Sequence, residues 1–399
     1  MGVENSGGRW ARRTSQVLDF METWERKNQN KPQDLPDMLR EIARKNPQMG
    51  SKDRREWSDG VYQALRARRY LKSEPWESCL AEGLAASYGV EHPWVAFLLL
   101  KRSEAERTLD AFERLGHNGF PGADLVSPRL DAQRFFRAQS QAGKAWIRVH
   151  ADRWSEFLNQ VTERSWPIPS VHDSPFTSIF VTASLPLGLP LHTLPAYEAG
   201  WMDIQDWSSQ ALAAQLPKNP TGRWLDACAG SGGKTLLLHH AYPALQWFVT
   251  DVRELVLQEL SRRFQRIGWK NYSRAVVDWT QDLPPDLGSF PDRFDGILLD
   301  APCSGSGSWR NQPQVQLRPL EPVEPYILQQ NTLLRKLWNR LQNGGYLVYA
   351  TCSVYASENE DVIKNFLENS PDAFLDGDAY LDGSPLGGDV LYTARLRKA

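Results

Sequence analysis

Two cysteines stand in turn-forming sequence directly after apolar runs. One is Cys303, in Leu298-Leu299-Asp300-Ala301-Pro302-Cys303-Ser304-Gly305-Ser306-Gly307; the other is Cys352, in Tyr349-Ala350-Thr351-Cys352-Ser353, followed by Glu358-Asn359-Glu360. A buried cysteine is most often a small core residue, and packing accounts for either thiol taken alone. Two of them just past the ends of two strands are hard to explain that way. Metal ligation is the other ordinary use, but no CxxC and no histidine pairing accompanies them; the seven histidines are scattered, and His239-His240 read as structural. The result is two thiols at one edge, close to Asp300 and free for chemistry.

A second cluster lies upstream. Trp224-Leu225-Asp226-Ala227 runs into Cys228-Ala229-Gly230-Ser231-Gly232-Gly233-Lys234-Thr235. A glycine-rich turn between a strand and a helix lets a ligand approach the backbone under the positive end of the helix. A P-loop needs Gly where Cys228 stands, and a dinucleotide fingerprint needs its third Gly where Thr235 stands. Both mismatches favour a nucleoside cofactor with little phosphate, such as S-adenosylmethionine, over a nucleotide triphosphate or NAD. Acidic residues then close successive strands at Asp226, Asp251, Asp278 and Asp300. Such carboxylates accept hydrogen bonds from ribose hydroxyls at the second strand and from an adenine amino group at the third, or they cap the helices that follow. Four in register with the glycine turn favour the nucleoside site.

These residues require a parallel sheet to bring them together. From Asp206 onward short apolar runs alternate with helical stretches, which predicts strands at 223–227, 247–251, 274–278, 294–300, 345–351 and 390–396. The helices expected between them are 233–241, 253–267, 325–341 and 357–368. That rhythm is α/β, a Rossmann-like sheet covered on both faces, with ligands at the carboxyl ends of its strands. Residues 145–205 read as a small α+β module, with strands at 146–150 and 178–181 and a helix at 154–161. Residues 1–140 read as helical, from the spacing of Trp10, Thr14, Val17, Leu18 and Met21, of Trp57, Val61, Leu65 and Arg69, and of Leu109, Phe112 and Leu115.

Composition excludes other classes. At 41% apolar and 24% charged, the 399 residues are globular in type. No apolar run is long enough to span a bilayer, so no membrane partner is expected. The opening MGVENSGGRWARR lacks an apolar signal core, and four cysteines do not make a disulfide scaffold; reduced thiols and a cytoplasmic setting are expected. MGVENS also fits a myristoylation pattern, a match short enough to recur by chance. Net charge is −2, against a uniformly basic nucleic-acid coat, yet residues 1–72 carry 16 basic and 10 acidic side chains. That asymmetry suits an RNA- or DNA-facing end and equally a solvated helical surface.

DACAGSGGKT, LLDAPCSGSG with Arg310 and Pro313, and YATCSVYASENE together resemble the RsmB/NOP/NSUN class of RNA cytosine-5 methyltransferases. Ile204-Gln205-Asp206-Trp207-Ser208-Ser209-Gln210 is similar to that family's entry motif, and Gly387-Gly388-Asp389 to its ending. The resemblance implies three domains: a NusB-like RNA-binding domain over 1–140, an RRM-like module over 145–205, and a Rossmann-like catalytic domain over 206–399. It implies S-adenosylmethionine as cofactor, held by Cys228, Ala229, Gly230, Ser231, Gly232, Gly233, Lys234, Asp251, Asp278 and Asp300, and no metal. It further implies that Cys352 adds to C6 of a cytosine and that Cys303 removes the C5 proton or releases the product. Asp300 would hold the base, and Lys234 would lower the thiolate pKa or neutralise Asp300. The implied partner is RNA, small-subunit rRNA of the bacterial branch, bound to a monomer. tRNA as substrate, and a catalytically idle RNA-binding assembly factor on the same fold, are the alternatives; a nicotinamide oxidoreductase is disfavoured by the missing glycine. Two departures from the family are Ser231, where proline is usual, and Val256, where arginine is usual.

Overall fold

The computed structural model describes residues 4–28, 35–68, 71, 75–88, 91–99, 123–139, 141–173, 178–281, 290–311 and 323–399. The helical reading at Leu109, Phe112 and Leu115, and the positions Arg69 and Pro313, lie outside the described residues. The chain divides into two compact units.

The first unit is helical: α1 (Glu4–Asn28), α2 (Leu35–Lys45), α3 (Ser51–Arg68), α4 (Trp76–Tyr88), α5 (Pro93–Leu99) and α6 (Ala132–Gln139), joined by the stretch that starts at Trp309. The spacing read from the sequence is the buried stripe. Trp10, Val17 and Met21 of α1 meet Trp57, Val61 and Leu65 of α3 in one core with Cys79, Leu80 and Trp94. Trp94 is anchored by its indole, which donates to Thr14 Oγ1 at 3.0 Å. Arg310 belongs to this unit; its Nε donates to Ala138 O at 2.8 Å and its carbonyl accepts from the Arg66 guanidinium.

The second unit holds two sheets. The small one contains β1 (Lys144–His150), β2 (Ser170–His172), β3 (Phe180–Pro186) and β4 (Met202–Ile204), in the order β2-β3-β1-β4, all antiparallel. α7 (Trp154–Glu163) covers one face with Phe157 and Val161 against Ile147, Val149, Ala183 and Leu185; the short α8 (Pro195–Glu198) adds Ala196. β2 and β4 were invisible as strands because three residues carry no alternation. Trp146, Arg148, Phe180 and Thr182 are also buried, although they belong to the opposite face. Thr182 donates to Gln210 of α9 (Trp207–Ala211), and Gln210 Nε2 donates to Gln205 O, so this face is closed against the larger sheet's layer.

The larger sheet follows: β5 (Arg223–Asp226), α10 (Gly233–Ala241), β6 (Gln246–Asp251), α11 (Glu254–Arg266), β7 (Tyr272–Val276), β8 (Phe294–Asp300), α12 (Glu324–Trp338), β9 (Leu341–Thr351), α13 (Glu360–Glu368), β10 (Ala373–Asp382) and β11 (Val390–Lys398). Its order is β10-β11-β9-β8-β5-β6-β7, parallel from β9 to β7 and antiparallel around β11. Alternate residues feed two cores. Leu225, Ile297, Leu299 and Leu347 lie under α12 and α13; Trp224, Trp247, Leu298 and Val348 lie under α10 and α11. That two-sided burial explains the continuous apolar runs. Three expectations need correction. Strand β7 stops two residues before Asp278. The helix expected from 357 starts at Glu360, because Asn359 is spent on a side-chain bond to Ser353 O and sits at φ −118°, ψ −97°. Strand β10 is not legible in the sequence because it is an edge strand with no fully buried side chain and no apolar alternation.

Candidate active site

The chain leaves β5 for β6 and β7 on one side and returns to β8 and β9 on the other. The gap between β5 and β8 is therefore the topological switch point, where a parallel sheet opens at its carboxyl end. The turn after β5 is held by main-chain bonds: Ala229 N donates to Thr250 O at 2.8 Å and Gly232 N to Ala229 O at 2.9 Å. Gly230 and Gly232 have φ of +54° and +79°. A Cβ at Gly230 would meet nothing within 4 Å, so the backbone there is open to a ligand. At Gly232 it would lie 2.7 Å from Phe264 Cε1, so only glycine lets the turn seat on α11.

Asp226 sits beneath this turn. Thr235 Oγ1 donates to its Oδ2 at 2.5 Å, its Oδ1 has no partner, and burial pushes its carboxyl up to about 7, the Thr235 bond opposing. It supports α10 from inside. The Cys228 thiol is raised well above its ordinary value by burial and then by Asp226, which leaves it an inert packing group.

Asp251, at the end of β6, faces the turn. Its Oδ2 accepts from Gly230 N at 3.0 Å and from Arg253 Nη2 at 3.0 Å; its Oδ1 accepts from Arg253 N and Nε. Burial would raise this carboxyl, but the Arg253 bonds outweigh it and hold it below the usual range. Both oxygens are thus engaged within the protein, where the sequence suggested a carboxylate waiting for ribose. The Arg253 side chain is 62% exposed, so it can be exchanged for a ligand at little cost. Asp278 lies on a turn past β7, and its Oδ1 accepts from Thr280 N and Oγ1. Val276, two residues before it, is exposed, as are Val252 and Leu255 just past the end of β6, apolar surface of the kind a flat heteroaromatic ring covers.

The thiols come together because β8 and β9 are parallel neighbours, with Asp300 opposite Ala350. Ala301 N donates to Ala350 O and Gly307 N to Cys352 O, both at 2.8 Å, so the loops leave the sheet side by side. Cys303 Sγ and Cys352 Sγ are 3.3 Å apart. Their hydrogen bond splits the pair. It draws Cys352 below the ordinary thiol range, against burial and Asp300 and with Lys234; the same bond, with burial, raises Cys303 well above it. Lys234 Nζ donates to Asp300 Oδ2 at 2.6 Å. Burial disfavours the ammonium, but Asp300 more than offsets this and holds it charged.

Of the residues named from sequence, Cys352, Cys303, Asp300 and Lys234 form one connected group, and the glycine turn with Asp251 forms its neighbour. Sequence reading assigned no role to Glu358, which is fully buried behind both thiol loops and accepts from Ser304 N, Ser304 Oγ and Ser353 Oγ. Its donors, with Gln330 Nε2 as the fourth, come from segments far apart in the chain and only appear in three dimensions. The distant motifs around Asp206 and Asp389 also meet, with Asp389 N donating to Asp206 Oδ2 at 3.1 Å. His239 and His240 are structural: one stacks on Trp269, and the other's Nδ1 donates to Leu236 O. Twelve of the sixteen tryptophans are buried. Among the described residues, no group of three His, Cys, Asp or Glu is placed to hold a metal, and no helix is long and apolar enough to cross a membrane.

The open backbone at Gly230, the adjacent carboxylate and the apolar lip fit S-adenosylmethionine. Residues 213–387 match the family described as 16S rRNA methyltransferase RsmB/F. The chain is 32% identical to the ribosomal RNA small subunit methyltransferase B of Salmonella paratyphi A over 367 residues, covering 85% of this chain and 81% of that protein; the Salmonella typhi protein matches equally. Among solved structures, NSun6 from Pyrococcus horikoshii, solved with SFG, has a TM-score of 0.55 at 17% identity over 67% of this chain and 94% of its own. A methyltransferase homolog from the same organism has 0.54 at 22% over 75% and 97%. The chain belongs to the RsmB/F family and is an S-adenosylmethionine-dependent RNA methyltransferase with the Rossmann-like fold.

Proposed function

We propose that this enzyme methylates carbon-5 of a cytosine in small-subunit rRNA through a covalent bond between Cys352 and C6 of the base. The observation that carries the reading is the 3.3 Å pair of unequal thiols beside the Lys234–Asp300 ion pair. Bound S-adenosylmethionine supplies an electrophilic methyl group. Cytosine C5 is too weak a nucleophile to take it directly. The Cys352 thiolate forms the S–C6 bond, and the C5–C6 π pair moves to C5, giving an enamine whose C5 takes the methyl group while the bonding pair of the broken S–CH3 bond stays on the donor sulfur. Asp300 accepts from the N4 amino group and holds the base by its N3/N4 edge, and the Lys234 ammonium beside it offsets the negative charge that thiolate addition places on the ring. Lys234 pairs with Asp300 and favours the Cys352 thiolate.

The thiol pair also orders the second half of the reaction. While Cys352 is a thiolate it holds the Cys303 proton in place. Once Cys352 has become a thioether, the bond that raised Cys303 is gone; Cys303 releases its proton to solvent and, as a thiolate, takes the C5 proton. The C5–C6 double bond re-forms, the S–C6 bond breaks, and Cys352 leaves as thiolate.

The substrate assignment follows the curated relatives, which are named for small-subunit rRNA. The helical unit would be the NusB-like RNA-binding domain, with the basic excess of residues 1–72. The β2-β3-β1-β4 order supports an RRM-like reading of residues 145–205. Its sheet face, the usual base-stacking platform, is closed by Trp146, Arg148 and Phe180 turned inward. RNA therefore meets this module at its loops. The target base must be unstacked to reach the thiols, which selects a loop or single-stranded site.

The test is bisulfite mapping of rRNA transcripts treated with S-adenosylmethionine and either wild-type or Cys352→Ala enzyme. The expectation is one protected cytosine that disappears with the variant, whose S-adenosylhomocysteine binding is unchanged. Wild-type turnover by Cys352→Ala would overturn the mechanism.

A further inference from the structure

We propose that Glu358 is a positioning residue that sets the spacing of the two thiols by clamping the loop after β8 to the loop after β9. The proposal rests on the reading above that both thiols take part in one reaction. Ser304 directly follows Cys303, and Ser353 directly follows Cys352. Both are bound to the same carboxylate: Glu358 Oε1 accepts from Ser304 N at 2.9 Å, and Oε2 accepts from Ser304 Oγ at 2.5 Å and Ser353 Oγ at 2.6 Å. Gln330 Nε2 of α12 donates to Oε1 at 3.2 Å and fixes the carboxylate from behind. Ser306 completes the link, 3.1 Å from Ser353 Oγ and accepting from Val354 N at 2.9 Å.

A side chain at 0% exposure would ordinarily be apolar, since burying a carboxylate costs more than its hydrogen bonds typically return. What a carboxylate offers in exchange is directional: two oxygens at fixed separation, each taking short charge-assisted bonds. Here those bonds run to the neighbours of the two reactive residues and not to the thiols themselves. Glu358 thus acts through Ser304 and Ser353. A thiolate and a proton acceptor serving adjacent carbons of one ring must keep their spacing through the whole cycle, and an error of about 1 Å costs about 100-fold in rate.

The experiment uses full-length enzyme with Glu358→Ala and Glu358→Gln. Three quantities are read: kcat and KM on a small-subunit rRNA transcript, the melting shift with S-adenosylhomocysteine, and the pH dependence of iodoacetamide alkylation of each thiol, followed by peptide mass spectrometry. Cys352 faces Cys303, Asp300, Lys234 and, one layer back, Glu358. In wild type it should alkylate at lower pH than Cys303. Glu358→Ala should bring the two profiles together and lower kcat about 100-fold, with KM and the melting shift nearly unchanged. Glu358→Gln keeps one acceptor oxygen for Ser304 N and offers an amide NH2 from which the serine hydroxyls can accept, so it should restore part of kcat and of the separation of the profiles. A Glu358→Ala enzyme with wild-type kcat and separate profiles overturns the proposal. If that variant does not fold, Ser353→Ala removes the arm to the β9 loop, and Ser304→Ala removes the Oγ bond of the other arm while its N–H bond stays; reduced kcat with converging profiles, largest for Ser353→Ala, supports the clamp, and wild-type behaviour of both overturns it. The alkylation needs no RNA, so it scores the clamp even if Cys352→Ala retains turnover and the proposed reaction fails.

Discussion

On the cofactor side, the turn from Cys228 to Lys234 is held by main-chain bonds and by two glycines in left-handed conformations. On the thiol side, the loops after β8 and β9 are held by side chains converging on Glu358. The first arrangement rests mainly on backbone geometry, with one side-chain bond from Gly230 N to Asp251 Oδ2, and is broken by adding a Cβ at Gly232. The second tolerates bulk poorly and depends on particular donors and charges. The contrast matches what the proposed reaction asks of each side: one presents backbone to a ligand that is replaced every turnover, and the other holds the two thiols in a fixed relation.

The largest expected effect is on the thiol side. Cys303→Ala removes the group assigned to take the C5 proton, a loss of about 1,000-fold in turnover. The first half of the reaction survives, so enzyme should accumulate as an RNA adduct that persists in denaturing gels. Rapid turnover with no adduct would separate the two thiols functionally and break the comparison.

The cofactor side answers to a smaller change. Gly232→Ala puts a methyl group against Phe264 and Leu260 at φ +79°. Strain of about 1.4 kcal/mol would weaken S-adenosylhomocysteine binding about tenfold, as read by calorimetry, and leave the iodoacetamide profiles of both thiols unchanged. Altered thiol reactivity in that variant would mean that the two sides are not independent.

The smallest effect concerns stability. Asp226 titrates at about 7 in the folded protein because it is buried, and near the ordinary carboxylate value of about 3.9 when unfolded. Between these values the folded state binds more protons than the unfolded state, so stability falls as pH rises from about 4 to about 7. Asp226→Asn removes that component: its melting temperature should decline less than the wild type's between pH 5 and 7. Parallel declines would show that Asp226 is ionised beneath the turn.

Much of this was legible in the sequence because it rests on local rules. Helix 233–241 was read to the residue, and strand 294–300 as well, since a glycine turn, an apolar run and a helix period are all written within a few neighbours. The missed elements have local causes too. Strands β2 and β4 are too short to show a period, and β10 is an edge with few buried side chains. Asp251 looked like an open ribose acceptor, and Arg253, two residues on, gave no sign that it would close over both oxygens.

What the sequence by itself determined is the set of reactive types and where each leaves its strand: a glycine turn, an acidic strand end, and two cysteines in turns. What the tertiary structure decided is everything that depends on residues far apart in the chain. The 3.3 Å approach of Cys303 and Cys352, the pairing of Lys234 with Asp300 and the burial of Glu358 all join segments separated by many residues. Which thiol is the more acidic is also decided there, since a proton's affinity is set by burial and neighbouring charge, and neither exists until the sheet has brought the strand ends together.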